Sequence, residues 1–315
     1  MGKATLIASA IAGILVFGAQ AAQAAEPAAC KTVRFADVGW TDITATTALT
    51  SVLLKGLGYT PKSTVLSVPV TYTSLKNKDI DVFLGNWMPT MEADVKPFVD
   101  DKSVEVVGVN LTGAKYTLAV PDYLYDQGLK SFADIAKFKD KLKGKIYGIE
   151  PGNDGNRLIL DMIKEAKFDL KGFEVVESSE QGMLAQVDRS VRRKEAIVFL
   201  GWEPHPMNTK FKLKYLAGGD DVFGPDFGGA TVYTNVRAGY LADCPNAGRL
   251  IKNMAFNLKL ENQIMGSILF DSMDPEKAAQ KWLKANPGAI DPWLKDVTTF
   301  DGKPGLPAVK KSLGL

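Results

Sequence analysis

The chain has 315 residues, 46% of them hydrophobic, and a formal net charge of +2 from 38 basic and 36 acidic side chains. That length holds two domains of ordinary size with a large core, and the even charge balance provides no field for nucleic acid or an anionic membrane surface. One His and two Cys exclude a zinc site with the usual Cys/His spacing, and there is no G-x-S-x-G elbow and no Walker loop.

The chain opens on a targeting segment. Lys3 precedes a small-residue and apolar run over 4–19 that includes Leu6, Ile7, Ile11, Leu15 and Phe17, and Ala22-Gln23-Ala24 fits a small-x-small cleavage site. The run is short for a membrane span, and no later stretch is long and apolar enough to be one. Residues 1–24 are therefore expected to be a signal peptide cut near Ala24, leaving an exported, soluble protein. Pro27-Ala28-Ala29 ahead of Cys30 lacks the apolar residue that a lipid-attachment site wants. In an exported chain with two cysteines, a Cys30–Cys244 disulfide is the better expectation. It closes a loop of roughly 215 residues, worth about 4–5 kcal/mol in the chain-entropy model.

Residues 32–38 alternate and run into Gly39-Trp40, a strand entering a turn. Thr41 or Asp42 is placed to cap a helix with Ala45, Ala48, Leu49, Val52, Leu53 and Gly56 on one face, ended by Gly58. A second strand is expected over 65–68 and a short helix over 72–78. Val82-Phe83-Leu84 reads as a buried strand of a parallel sheet, followed by Gly85-Asn86-Trp87-Met88-Pro89. Strands are expected over 104–109 and 116–120, with Gly113 between them as a crossing point between lobes.

The alternation then restarts. Ser131 caps a short helix, 146–149 is a strand, and Pro151-Gly152-Asn153-Asp154-Gly155 turns into a helix over 157–166. A strand over 173–176 is followed by a helix over 180–193, capped by Ser178 or Ser179. Residues 197–204 then echo the first motif: V-F-L-G, a Trp (Trp202) and a Pro (Pro204). Phe227-Gly228-Gly229-Ala230 reads as the return crossing, 231–236 as a strand, and 245–258, 263–270 and 274–285 as helices. The expected fold is α/β in two lobes, with two crossings that act as a hinge. Residues 25–113 and 229–315 form lobe I, and residues 114–228 form lobe II.

Four loops fall at the carboxyl ends of these strands, where open α/β sheets bind ligands: Gly39-Trp40-Thr41-Asp42, Asn86-Trp87, Gly152-Asn153 and Gly201-Trp202. Tyr116 begins the strand beside the first crossing. Aromatic faces attract a cation that has no N–H to donate, and quaternary ammonium cages are their leading use, at about 0.5–2 kcal/mol per desolvated ring. Each Trp alone is equally at home in a core; the joint placement and the repeated context carry the cage. Asp42 supplies opposite charge and an acceptor for a hydroxyl, and it also suits a plain helix cap. His205 and Glu203 have no nucleophile beside them, and Asp220, Asp221 and Asp226 match no calcium loop. Trp282 and Trp293 read as packing residues on late helices.

On these residues the chain resembles the periplasmic choline-binding proteins of ATP-driven (ABC-type) uptake systems, relatives of the glycine-betaine-binding proteins. The resemblance covers essentially the whole mature chain. It rests on V-G-W-T-D at 38–42, G-N-W-M-P-T at 85–90, G-N-D-G-N at 152–156, G-W-E-P-H at 201–205, and the two cysteines. It implies the two-lobed periplasmic-binding-protein fold of type II, with two hinge crossings. It places Trp40, Trp87, Tyr116 and Trp202 around the ammonium methyls, and Asp42 and Asn153 at the ligand hydroxyl. It further implies a periplasmic receptor, expected to be a monomer, that delivers choline to an inner-membrane permease, with no enzymatic activity, cofactor or metal. With Asp42 at the ligand tail, acetylcholine is expected to bind less tightly than choline, and glycine betaine less tightly still. A receptor for glycine betaine or carnitine is the alternative, since it shares the cage but needs donors for a carboxylate. An exported choline-ester-processing enzyme would need a nucleophile with a base, or a metal.

Overall fold

Short apolar runs form the centre of a nine-stranded sheet in a computed structural model that describes residues 26–315. The expected signal peptide and its cleavage point lie outside the described residues. The strands are β1 (Thr32–Asp37), β2 (Thr60–Val65), β3 (Val82–Met88), β4 (Val104–Pro121), β5 (Lys145–Tyr147), β6 (Glu174–Val176), β7 (Phe199–Glu203), β8 (Leu213–Tyr215) and β9 (Gly229–Arg237). Their order is β2-β1-β3-β9-β4-β7-β5-β6, with β8 beside β4. β1, β2 and β3 run parallel, as do β5, β6 and β7. Between these two groups the long strands β4 and β9 run antiparallel to each other. Helices cover both groups, and the arrangement is the two-lobed, type II periplasmic-binding-protein fold.

The two V-F-L-G runs are buried as expected, but their strands continue further. β3 is parallel to β1 only at Val82 and Phe83. Its other edge pairs with β9 from Val82 to Met88, with a register shift between Phe83 and Asn86. β7 touches β5 only at Phe199, while its other edge pairs with β4 from Phe199 to Glu203. Trp87 and Trp202 thus lie within their strands, not past them. The cause is the antiparallel neighbour, which keeps satisfying backbone N–H and C=O groups after the parallel partner has ended. Both Trp residues still stand beyond the parallel ladders.

The two strands expected over 104–109 and 116–120 are one strand of 18 residues, β4. Gly113 (φ +74°) does not end it. Three register shifts against β9, between Val106 and Ala114, bend it on the way from one lobe to the other. β9 makes the return. Gly228, at φ +75°, stands so close to β4 that a Cβ there would lie 2.1 Å from the Tyr116 carbonyl oxygen.

The second strand lies at 60–65 rather than 65–68, because Pro69 sits in the first turn of the helix Val68–Lys76, where no N–H is needed. The single helix expected over 245–258 stops at Asn253, because the Asn257 side chain caps a new helix, Leu258–Leu269. Ser179 caps Glu180–Arg193 and Asn153 caps Asp154–Lys164, as the side-chain chemistry predicts. Cys30 and Cys244 are joined by a disulfide, Cα–Cα 5.6 Å, which ties the first turn of the described chain to the start of the helix Pro245–Asn253. Among the described residues, no helix is long and apolar enough to cross a membrane.

Candidate functional site

The helix Thr41–Gly56 begins at the carboxyl end of β1 and carries two of the expected site residues at its head. Trp40 is its N-cap residue and offers no acceptor, so neither Thr41 nor Asp42 caps it as expected. The cap comes from the opposite lobe: Glu180 accepts the Thr41 N–H at 2.8 Å and also the Thr41 hydroxyl. The Trp40 indole donates to Glu150 Oε1 at 2.9 Å, again across the cleft. Asp42 lies in the first turn and is almost fully buried. Its Oδ2 accepts from the Trp87 indole N–H at 3.2 Å, and its Oδ1 has no partner.

Trp40, Asp42, Trp87, Tyr116, Ile149 and Trp202 enclose one small cavity between the lobes. Tyr116 faces Trp202 in register across β4 and β7. Their ring centroids are 6.2 Å apart at 84°, and Trp87 meets Tyr116 edge-on at 6.1 Å. Phe223 backs the Tyr116 ring at 5.9 Å, and the His205 ring backs Trp202 at 4.8 Å. The Tyr116 hydroxyl donates to Asn153 Oδ1 at 2.9 Å. Gly155 is required beside it, since a Cβ there would lie 2.1 Å from that hydroxyl.

The four aromatic residues and Asp42 therefore share one cavity wall. Asn153 stands behind Tyr116: its Oδ1 also accepts from the Asn156 N–H, and its Nδ2 donates to Asp154. Trp282 and Trp293 pack together on the late helices, as expected. Sequence reasoning misses Glu150, Glu180, Ile149 and Phe223. Glu180 reads there only as the first residue of a well-capped helix, and no local pattern marks the other three.

The cavity is electron-rich. Burial, and then the neighbouring Glu180 charge, push the Asp42 carboxyl up to about 8 against the pull of the Trp87 hydrogen bond. Burial likewise lifts Glu150 to about 7, and the Trp40 bond opposes it. Glu261, buried on the helix Leu258–Leu269, is raised well above the usual range by burial and by Asp42. No basic side chain lines the cavity. Four aromatic faces, one unpartnered carboxylate oxygen and no basic side chain on the wall make a place for a cation with an apolar shell. Among the described residues, no group of three His, Cys, Asp or Glu side chains is arranged to hold a metal ion.

The chain is similar to a solved ABC-transporter choline-binding protein in complex with choline: 67% identity and TM-score 0.91, over 92% of this chain and 100% of that one. It is also similar to an ABC-transporter choline-binding protein in an unliganded semi-closed conformation: 68% identity and TM-score 0.84, over 91% of this chain and 100% of that one. A relative from Listeria monocytogenes, the glycine betaine/carnitine transport binding protein GbuC, is 31% identical over 163 residues, 52% of this chain and 53% of that protein. The family model of OpuAC, the substrate-binding domain of ABC-type glycine betaine transport systems, matches residues 31–285, and the chain belongs to that family.

Proposed function

We propose that the protein is the extracytoplasmic receptor of an ABC-type uptake system, that it captures choline in the aromatic cavity, and that it delivers it to an inner-membrane permease. The observation that carries this is the unpartnered Oδ1 of Asp42 on a wall otherwise made of Trp40, Trp87, Tyr116, Ile149 and Trp202. The ammonium methyls pack against the rings, each worth about 0.5–2 kcal/mol. The ligand hydroxyl donates to the free carboxylate oxygen, a charge-assisted bond. Asn153 acts by holding Tyr116 through its hydroxyl. Lobe I comprises residues 25–113 and 229–315 and lobe II residues 114–228, so that closure brings Trp40 and Asp42 onto Tyr116 and Trp202. Ligand between the lobes favours the shut form. A leader over 1–24 exports the chain to the periplasm, a compartment that suits the Cys30–Cys244 bridge.

Glycine betaine is the second reading, and one observation favours it. A carboxyl lifted to about 8 holds its proton at neutral pH, and a protonated Asp42 donates to a ligand carboxylate. The two readings differ in sign with pH. Choline favours ionised Asp42 and tightens as pH rises toward 8, whereas betaine needs the proton and weakens. With Asp42 ionised by the trimethylammonium head, a ligand carboxylate meets like charge in a dry cleft. We expect choline to bind at least about a hundredfold more tightly than betaine, with acetylcholine between them. Calorimetry with choline, acetylcholine, glycine betaine and carnitine at pH 6, 7 and 8 tests this. Betaine equal to choline would overturn the ligand, and no binding of any quaternary amine would overturn the receptor.

A further inference from the structure

Glu180 is the first residue of the helix Glu180–Arg193 and is 1% exposed. Its carboxylate accepts three hydrogen bonds. His205 Nε2 lies 3.2 Å from Oε1, and because His205 Nδ1 accepts from the Met207 N–H, Nε2 carries the proton and donates. That bond anchors Glu180 within its own lobe. The other two bonds cross the cleft, from the Thr41 N–H and the Thr41 hydroxyl. The helix Thr41–Gly56 has no side-chain cap of its own, so its first N–H is satisfied by the opposite lobe, and only while the cleft is shut. Thr41 stands between Trp40 and Asp42, the two residues that this helix contributes to the cavity.

We propose that Glu180 is the positioning residue that latches the shut cleft. Its cross-lobe cap on Thr41 holds Trp40 and Asp42 against the ligand and slows opening. This rests on the reading of the cavity as the ligand site. A ligand enters the open form before the latch exists, so the latch acts on release and not on capture. The site also demands a carboxylate. Oε2 faces the Thr41 N–H and Oε1 faces the His205 Nε2–H. An amide in either orientation sets its NH2 against one of these donors and loses a bond.

The test is stopped-flow tryptophan fluorescence with choline on the parent, Glu180→Gln, Glu180→Ala and Thr41→Val, with melting curves of each ligand-free variant. Thr41→Val removes only the hydroxyl donor and keeps the fold if Glu180→Ala does not. Glu180→Gln should raise koff about 10- to 100-fold and leave kon within about threefold. Thr41→Val should raise koff less, and the pair combined should fall short of the product of the two single effects. An unchanged koff in Glu180→Gln, or an equal fall in kon, would overturn the latch alone. A parent that binds no quaternary amine would overturn the receptor reading and this one with it.

Discussion

Asp42→Asn separates what the carboxylate does for the ligand from what it costs the empty fold. The folded carboxyl stands at about 8 against an ordinary 3.8. The sign follows from linkage. A carboxyl raised in the folded state carries no penalty below its ordinary value; the penalty grows as pH rises and is complete above about 8. It accumulates at about 1.4 kcal/mol per pH unit, so that at pH 7 the shut, empty form bears roughly 4 kcal/mol. This is an upper bound, since an opened cleft hydrates Asp42. Asn keeps an acceptor for the Trp87 indole and removes the charge. Ligand-free Asp42→Asn should therefore melt higher than the parent at pH 8 and at the same temperature near pH 4. Choline should bind it about 2–3 kcal/mol more weakly, roughly 30- to 150-fold, through loss of a charge-assisted bond. The rise of choline affinity toward pH 8 should vanish with the carboxyl. Melting curves across pH, paired with calorimetry, read all three effects. An Asp42→Asn protein less stable than the parent at pH 8, or one that binds choline as well, would refute the electrostatic account.

Two further pairs of outcomes are expected. Trp87→Ala removes one ring and the hydrogen bond on Asp42 Oδ2, and should weaken choline by about 1–3 kcal/mol with the fold kept. Trp282→Ala, remote from the cavity and bonded to Gln263, should lower the melting temperature and leave affinity unchanged; calorimetry and melting of both variants separate the roles. Peptide mapping of the exported protein should show Cys30 joined to Cys244, and reduction should lower the melting temperature while choline still binds, because neither Cys lines the cavity. Two free thiols, or loss of binding on reduction, would contradict this.

The cage is legible in the sequence because its rings follow local signals. Val82-Phe83-Leu84 and Phe199-Leu200 must be buried, so the chain beyond them emerges at the ligand edge of each parallel group, and Trp87 and Trp202 follow within three residues. Trp40 and Asp42 follow from the strand that runs into a helix at Thr41. What holds these side chains is not legible, because it comes from partners distant in the chain. Glu150 is 110 residues from Trp40, and Glu180 is 139 from Thr41; neither acceptor is marked by any period or spacing. The same cause hides the true length of β3, β4 and β7, which is set by antiparallel pairing across the crossings rather than by their own apolar runs.

That pairing also explains why the repeated motif makes one site and not two. Past its parallel ladder, β3 lies against β9, with Trp87 opposite Val232; β7 lies against β4, with Trp202 opposite Tyr116. β4 and β9 are themselves neighbours and carry the two crossings. Each Trp is therefore laid against a hinge strand, and three walls of the cavity stand where relative movement of the lobes is smallest. Trp40 and Asp42 ride instead on the helix Thr41–Gly56, whose head hydrogen-bonds across the cleft to the Glu150 and Glu180 carboxylates. On the reading proposed above, Trp87 and Asp42 move together, since the Trp87 indole donates to Asp42 Oδ2, and closure brings this pair and Trp40 onto Tyr116 and Trp202, so that the ligand is enclosed only when the Glu150 and Glu180 bonds across the cleft have formed.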